Sequence, residues 1–236
     1  MNFQKLLVEK FKGTNYKMQL KRVTIISGHY GSGKTNIAVN LAIGLKKDYN
    51  KVALADIDIV NPYFRSKDSE KLLAENGVKL ICSPYANSNV DIPALPQEMY
   101  SVTDDKEMRA ILDVGGDDRG ALALGRISPK IIEENDYEMI YVVNFYRPLT
   151  QTVDLAIEVM REIEYAGKIK FTSIVNNSNL GKETKKQDVL DTVLLTKELS
   201  LKTGLPIKFT SVEEKLYNEL KDEIENVYPI SMQKKP

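Results

Sequence analysis

The segment Gly28-His-Tyr-Gly-Ser-Gly-Lys-Thr35 restricts what this 236-residue chain can fold into more than any other feature. It has the form G-x-x-x-x-G-K-[ST]. Before it lies an apolar run, Val23–Ser27, and after it Ile37, Leu41 and Leu45 recur at i, i+4 and i+8. The expected setting is therefore strand, loop, helix. Glycines let successive backbone N–H groups curl around an anion, and the helix N-terminus adds its positive end. In such a loop Lys34 neutralises β- and γ-phosphates, and Thr35 places its hydroxyl on Mg2+. Gly28, His29, Tyr30, Gly31, Ser32, Gly33, Lys34, Thr35 and Asn36 are accordingly candidate nucleotide-binding residues.

The rest of the chain repeats this alternation. Continuous apolar runs at Val23–Ser27, Val52–Asp58, Val78–Cys82, Ala110–Val114, Met139–Asn144, Phe171–Asn176 and Ile207–Ser211 read as strands buried on both faces. Helical patterns separate them. Leu155, Val159 and Ile163 share one face, with Gly167 placed to end that helix. Thr184 with Gln187 reads as a capping box, the helix stopping near Gly204. Ser128-Pro129 reads as another helix start, and residues 212–226 as a last, acidic helical stretch. The pattern predicts one doubly wound, mostly parallel α/β sheet of about seven strands with helices on both faces. Residues 21–230 would form this domain, residues 1–20 a basic extension or surface helix, and residues 231–236 a tail.

Composition removes several alternatives. One cysteine, Cys82, makes no internal disulfide, and with the single histidine, His29, it makes no zinc site of the usual kind. Lys and Arg total 33 against 33 Asp and Glu, so bulk charge draws the chain to neither nucleic acid nor anionic lipid. No apolar run reaches the roughly 18–20 residues of a membrane span. The expectation is a cytoplasmic protein.

Two further motifs accompany the loop. Ala110-Ile-Leu-Asp113-Val-Gly-Gly116 is a buried strand ending in an acid and a glycine pair. It has the form of a Walker B carboxylate holding Mg2+, with the Gly116 amide free to sense the γ-phosphate. The second predicted strand ends in Asp56-Ile-Asp58, and strand alternation puts both carboxylates on one side. Two acids aimed at one place are costly unless a cation or an activated water uses them.

Together these motifs resemble the SIMIBI class of P-loop NTPases, and within it the MinD/ParA/CooC-like ATPases. The resemblance spans about residues 22–211. It implies Thr35, Asp56 and Asp113 around Mg2+, with Asp56 in the outer shell, Lys34 on phosphate, and Asp58 orienting the attacking water. Lys34 and Asp58 are thus the candidate catalytic residues. It also implies an ATP-dependent homodimer that switches its affinity for a protein partner of unknown identity. The family's signature lysine, five residues before the loop lysine, is replaced here by His29, which carries charge only when protonated. Paired cysteines of the CooC type are absent.

For the base, Asn176-Asn-Ser-Asn179 stands where guanine readers carry N-K-x-D. The guanine-accepting Asp is missing, and Asn176 can bond an adenine edge, which favours ATP. Arg65, Arg119 and Arg147 follow strand ends, where an arginine can bind phosphate or an acidic co-substrate. With the Pro-rich stretch 83–98, they keep open an ATP-dependent small-molecule kinase or ligase resembling dethiobiotin synthetase. A nucleotide-binding module with negligible turnover is the third reading. Replacing Lys34 by Ala is expected to abolish Mg·ATP binding while leaving the thermal unfolding profile folded and cooperative; calorimetric binding equal to wild type would refute the whole site.

Overall fold

The computed structural model describes residues 19–57, 69–82, 97–116 and 118–232, with the side chains of Asp118 and Arg119 excepted. Its strands are β1 (Val23–Ser27), β2 (Val52–Asp56), β3 (Lys79–Ile81), β4 (Arg109–Asp113), β5 (Tyr137–Val143), β6 (Ser173–Asn176), β7 (Ile207–Glu213) and β8 (Val227–Ile230). The helices are α1 (Lys34–Leu45), α2 (Glu70–Glu75), α3 (Ser101–Asp104), α4 (Asp118–Glu134), α5 (Val153–Gly167), α6 (Lys186–Thr203) and α7 (Glu214–Leu220). Short 3-10 turns at Gln97–Tyr100, Pro148–Thr150 and Gly181–Glu183 complete the described elements.

All eight strands form one sheet in the order β3-β2-β4-β1-β5-β6-β7-β8, and every pairing is parallel. Neighbouring residues of one strand serve opposite layers, as a sheet covered on both faces requires. Ile25, Leu112, Tyr141 and Ile174 pack with Leu124 and Ile127 of α4, Met160 and Ile163 of α5, and Leu199 of α6. Ile26, Ile111, Ile140, Val142 and Val175 pack with Ile37, Leu41 and Leu45 of α1 and Leu73 of α2. A smaller cluster joins Val189 of α6 to Leu216 and Leu220 of α7 and Val227 of β8. Burial pushes the Tyr141 phenol up, and its hydroxyl donates to the Ala156 carbonyl at 2.8 Å, fastening β5 to α5. The order reverses around β4-β1-β5, which puts the loops after these strands at the topological switch point.

Three local expectations need correction. The sheet has an eighth strand, β8, where the sequence pattern ended in a helix; α7 stops at Leu220. β8 contains Pro229, which is tolerated because this is an edge strand with one side free of ladder bonds. Ser128-Pro129 does not start a helix: Pro129 lies inside α4. The proline leaves the Gly125 carbonyl without its helical donor, and the Ser128 hydroxyl donates to it at 3.4 Å instead. The capping of α6 uses Asp188, which accepts from the Lys185 N–H at 2.7 Å, whereas Thr184 closes the preceding turn by donating to the Gly181 carbonyl at 2.6 Å. As expected, α5 ends at Gly167, with Lys168 after it in left-handed conformation, and Gly204 caps α6 with φ 73°. Residues 1–18 of the basic extension lie outside the described residues, as do 83–96 of the Pro-rich stretch.

At the end of the sheet away from these loops, Arg22 is buried and collects the chain around it. Its guanidinium donates to the carbonyls of Val102 (3.0 Å), Asp105 (3.2 Å) and Met108 (3.0 Å), and pairs through two nitrogens with Glu134 at the end of α4. That pairing holds the Glu134 carboxyl below its ordinary range against the opposing effect of desolvation. Replacing Arg22 by Met leaves three carbonyls and the partly buried Glu134 carboxylate short of donors. We expect a loss of about 3 kcal/mol, read as a lower urea midpoint with an unchanged slope; an unchanged midpoint would show that the clasp is dispensable.

Candidate functional site

The loop of residues 28–33 leaves β1 and enters α1, wedged among the C-terminal ends of its neighbours. Gly33, at the N-cap of α1, has φ 88°, a left-handed conformation that suits glycine, and a Cβ there would overlap the Asn177 side-chain amide. Gly116, two residues beyond the β4 turn from Val114, packs directly on the loop backbone. A Cβ on Gly116 would overlap the Gly28 carbonyl and come within 2.7 Å of the Tyr30 nitrogen. The predicted neighbourhood of loop and glycine pair is therefore a contact between bare backbones.

Thr35 and Asp113 are brought together: the threonine hydroxyl donates to Asp113 Oδ2 at 2.6 Å. Asp56 lies beside Asp113 in the parallel register of β2 and β4, and the two are 8% and 2% exposed. Lys34 is also buried, and its ammonium donates to the His29 carbonyl at 3.3 Å. Asp58 lies outside the described residues. Among the described residues no cluster of three or more His, Cys, Asp or Glu forms a cation cage. A hydroxyl with a pair of carboxylates is instead the sparse donor set suited to Mg2+ whose other ligands are phosphate and water.

The loop also holds buried polar atoms without a hydrogen-bond partner: Ser32 Oγ, His29 Nδ1 and, at the end of β1, Ser27 Oγ. Such orphaned atoms inside a close-packed cradle fit a polar ligand that completes them. A nucleotide phosphate fits these donors and this cradle.

The asparagines after β6 behave differently from the expectation. Asn176 is fully buried; its amide nitrogen donates to the Thr192 hydroxyl at 3.0 Å, and its oxygen accepts from Ser178 N and Oγ. This fixes the turn into α6 and turns neither end of the amide toward a base. Asn177, at the lysine position of N-K-x-D, holds the loop itself. It donates to the Ser32 carbonyl at 2.6 Å and accepts from the Ser211 hydroxyl at 2.6 Å. Asn179 is tied to the Asn177 carbonyl and the Gly181 N–H. Beside them a shallow cleft opens at the ends of β6, β7 and β8, with Asn177, Asn179, Glu213, Leu216, Ile230 and Met232 among its lining. Its location next to Ser32 makes it the candidate base subsite.

Asn36 and Asn40, one turn apart on α1, bind the segment after β8. Asn40 donates to the Ser231 carbonyl and accepts from the Ser231 N–H, both at 3.0 Å, and Asn36 donates to the Met232 sulfur at 2.9 Å. No local sequence signal marks this contact, because its partners lie 191 residues apart.

Residues 23–202 match the family described as the CobQ/CobB/MinD/ParA nucleotide binding domain. The chain belongs to this family. It is a SIMIBI-class P-loop NTPase by this match and by its fold. The cell division protein FtsY of Thermotoga maritima is similar in fold, with 20% identity and a TM-score of 0.57 over 89% of this chain and 70% of that one. The Signal Recognition Particle 54 kDa protein of Aeropyrum pernix K1, a complex with GDP, gives 19% identity and 0.52 over 87% of this chain. This chain covers 46% of that protein's length. Chloroplast FtsY of Physcomitrella patens gives 20% and 0.54 over 89% of this chain and 65% of its own. No curated protein sequence matches significantly. Among the described residues no helix is long and apolar enough to cross a membrane.

At the position of the family's signature lysine, His29 is held below its ordinary pKa of 6.5. Desolvation is the largest cause, reinforced by the charges of Lys34 and Arg147, while the Tyr30 backbone and Glu162 oppose it. The ring is therefore neutral at pH 7. Because the unfolded chain takes up this proton more readily, the native state loses stability as pH falls through 6.5 toward the lower folded value. Urea titrations between pH 7 and 5 should show a shallower loss for His29→Gln than for wild type; equal slopes would mean that His29 titrates normally.

Proposed function

We propose that this P-loop NTPase binds Mg·ATP, hydrolyses it slowly, and uses the state of its nucleotide to switch affinity for a protein partner. The observation that carries the proposal is the Thr35–Asp113 hydrogen bond beside a glycine-shaped loop with orphaned buried polar atoms. In the nucleotide-bound protein Thr35 would be a direct Mg2+ ligand, with Asp56 and Asp113 holding its water. Mg2+ supplies charge neutralisation across the β- and γ-phosphates. Lys34 binds phosphate oxygens, the Gly116 amide faces the γ-phosphate, and Asp58 orients water.

The choice of ATP rests on what the cleft offers a base. The position of a guanine-reading Asp is Asn179, already spent within the turn. The carboxylate that does line the cleft, Glu213, is paired with Lys215 at 2.8 Å. Guanine presents two adjacent N–H donors that need an ionised acceptor, so its recognition here is handicapped. The partner reading draws on three exposed apolar side chains, Tyr30, Leu149 and Leu180, which stand on the loops after β1, β5 and β6. The same rim suits a second copy of the chain in an ATP-dependent homodimer, working in the cytoplasm.

Phosphate release from Mg·ATP, followed over a wide range of protein concentration with Mg·GTP in parallel, tests this. We expect turnover per chain to rise with concentration, to prefer ATP and to vanish in Asp58→Ala. Turnover that is unaffected by Asp58→Ala, or that occurs only with GTP, would overturn the proposal in its catalytic or its base assignment respectively.

A further inference from the structure

Three arginines were expected near strand ends, and the structure singles out one. Arg65 lies outside the described residues and the Arg119 side chain is not described. Arg147, in the turn after β5, lies across the phosphate loop. Its Nε donates to the Gly31 carbonyl at 2.9 Å, and its Nε, Cδ and Cζ lie 3.5, 3.7 and 3.8 Å from the place a Gly31 Cβ would occupy.

The backbone that presents this side chain is fixed. The Arg147 N–H donates to the Asn144 carbonyl at 3.1 Å, and the Arg147 carbonyl accepts from Thr150 N at 3.0 Å. The buried Thr150 hydroxyl donates to the same Asn144 carbonyl at 2.6 Å, and Pro148 begins the 3-10 turn. The side chain itself is exposed, and no ion pair among the described residues includes it. One of the five guanidinium donors is used on Gly31, which leaves the two terminal amino groups.

Arg147 on the Gly31 carbonyl and Lys34 on the His29 carbonyl put two cations on one short loop, and an anion bound there would offset their repulsion. Next to Gly31, the Ser32 hydroxyl is fully buried and without a partner. Consecutive loop carbonyls, Gly31 and Ser32, are thus taken by Arg147 and Asn177, while a polar atom of the same segment waits for a ligand. The planar fork of arginine suits phosphate oxygens better than a lysine point charge.

We propose that Arg147 is a phosphate-binding residue of the nucleotide site, supplying a positive charge from the β5 turn. The assignment rests on the nucleotide reading above and adds a ligand that the loop motif does not contain.

Calorimetry of Mg·ATP and Mg·ADP on the full chain, as wild type, Arg147→Gln, Arg147→Lys and Lys34→Ala, tests it. Loss of a charge-assisted contact predicts about tenfold weaker binding of Mg·ATP in Arg147→Gln, with a shallower dependence of affinity on ionic strength. Arg147→Lys should recover part of both, which a merely structural role for the Gly31 bond would not give. Binding by Arg147→Gln equal to wild type, or no recovery in Arg147→Lys, overturns the assignment. If wild type binds while Lys34→Ala does not, such a failure touches Arg147 alone. If wild type binds neither nucleotide, the nucleotide reading fails and this inference goes with it.

Discussion

The whole site depends on how closely the phosphate loop can approach the ends of three strands. Gly116 beyond β4 meets the Gly28 carbonyl, Gly28 meets the Val142 carbonyl of β5, and Gly33 meets the Asn177 amide after β6. At each place a single methyl group would overlap its neighbour. The loop is therefore not a flexible turn that wraps a ligand but a backbone wedged at fixed depth among the C-terminal strand ends. From that depth follow the Thr35–Asp113 bond and the side-by-side placement of Asp56 and Asp113. The sheet, covered on both faces by apolar layers, supplies the rigidity that holds these ends in place.

Much of this was legible in the sequence because the signals are local. The strand β1 was read to the residue, and the other six predicted strands lay within a few residues of their observed limits, since continuous β-branched runs have few alternatives to burial on both faces. The loop and the Asp113–Gly116 turn carry their own chemistry. What escaped notice depends on partners distant in sequence. β8 is four residues with a proline, and only its place at the sheet edge makes it a strand. Pro129 looked like a helix start because local rules favour it there, yet tertiary packing carries α4 through it.

The asparagines after β6 show the same limit at the level of chemistry. Sequence comparison with a guanine-reading motif assigns Asn176 to a base, by position. Folded, that amide closes a buried circuit with Thr192 and Ser178, and its neighbour Asn177 spans from the Ser32 carbonyl to Ser211. A lysine at 177 would have brought a charge into this buried place; the amide brings one donor and one acceptor, each matched. Asn177 thus holds the Ser32 carbonyl from the strand-six turn without charge, and Arg147 in the strand-five turn is the cation on the neighbouring Gly31 carbonyl.

The clip between α1 and the segment after β8 ties residues 191 positions apart. Asn40 sits in the helix that the phosphate loop starts, while Ile230 and Met232 form part of the cleft wall. A ribosome releasing this chain in order therefore presents the loop long before the wall exists, and a chain held short of β8 has a phosphate cradle open on its base side. A contact of such sequence separation can close only when both ends of the chain are in place. Possession of a finished cleft is in this sense a proof-reading step of the fold: only the fully assembled sheet presents this wall beside the loop.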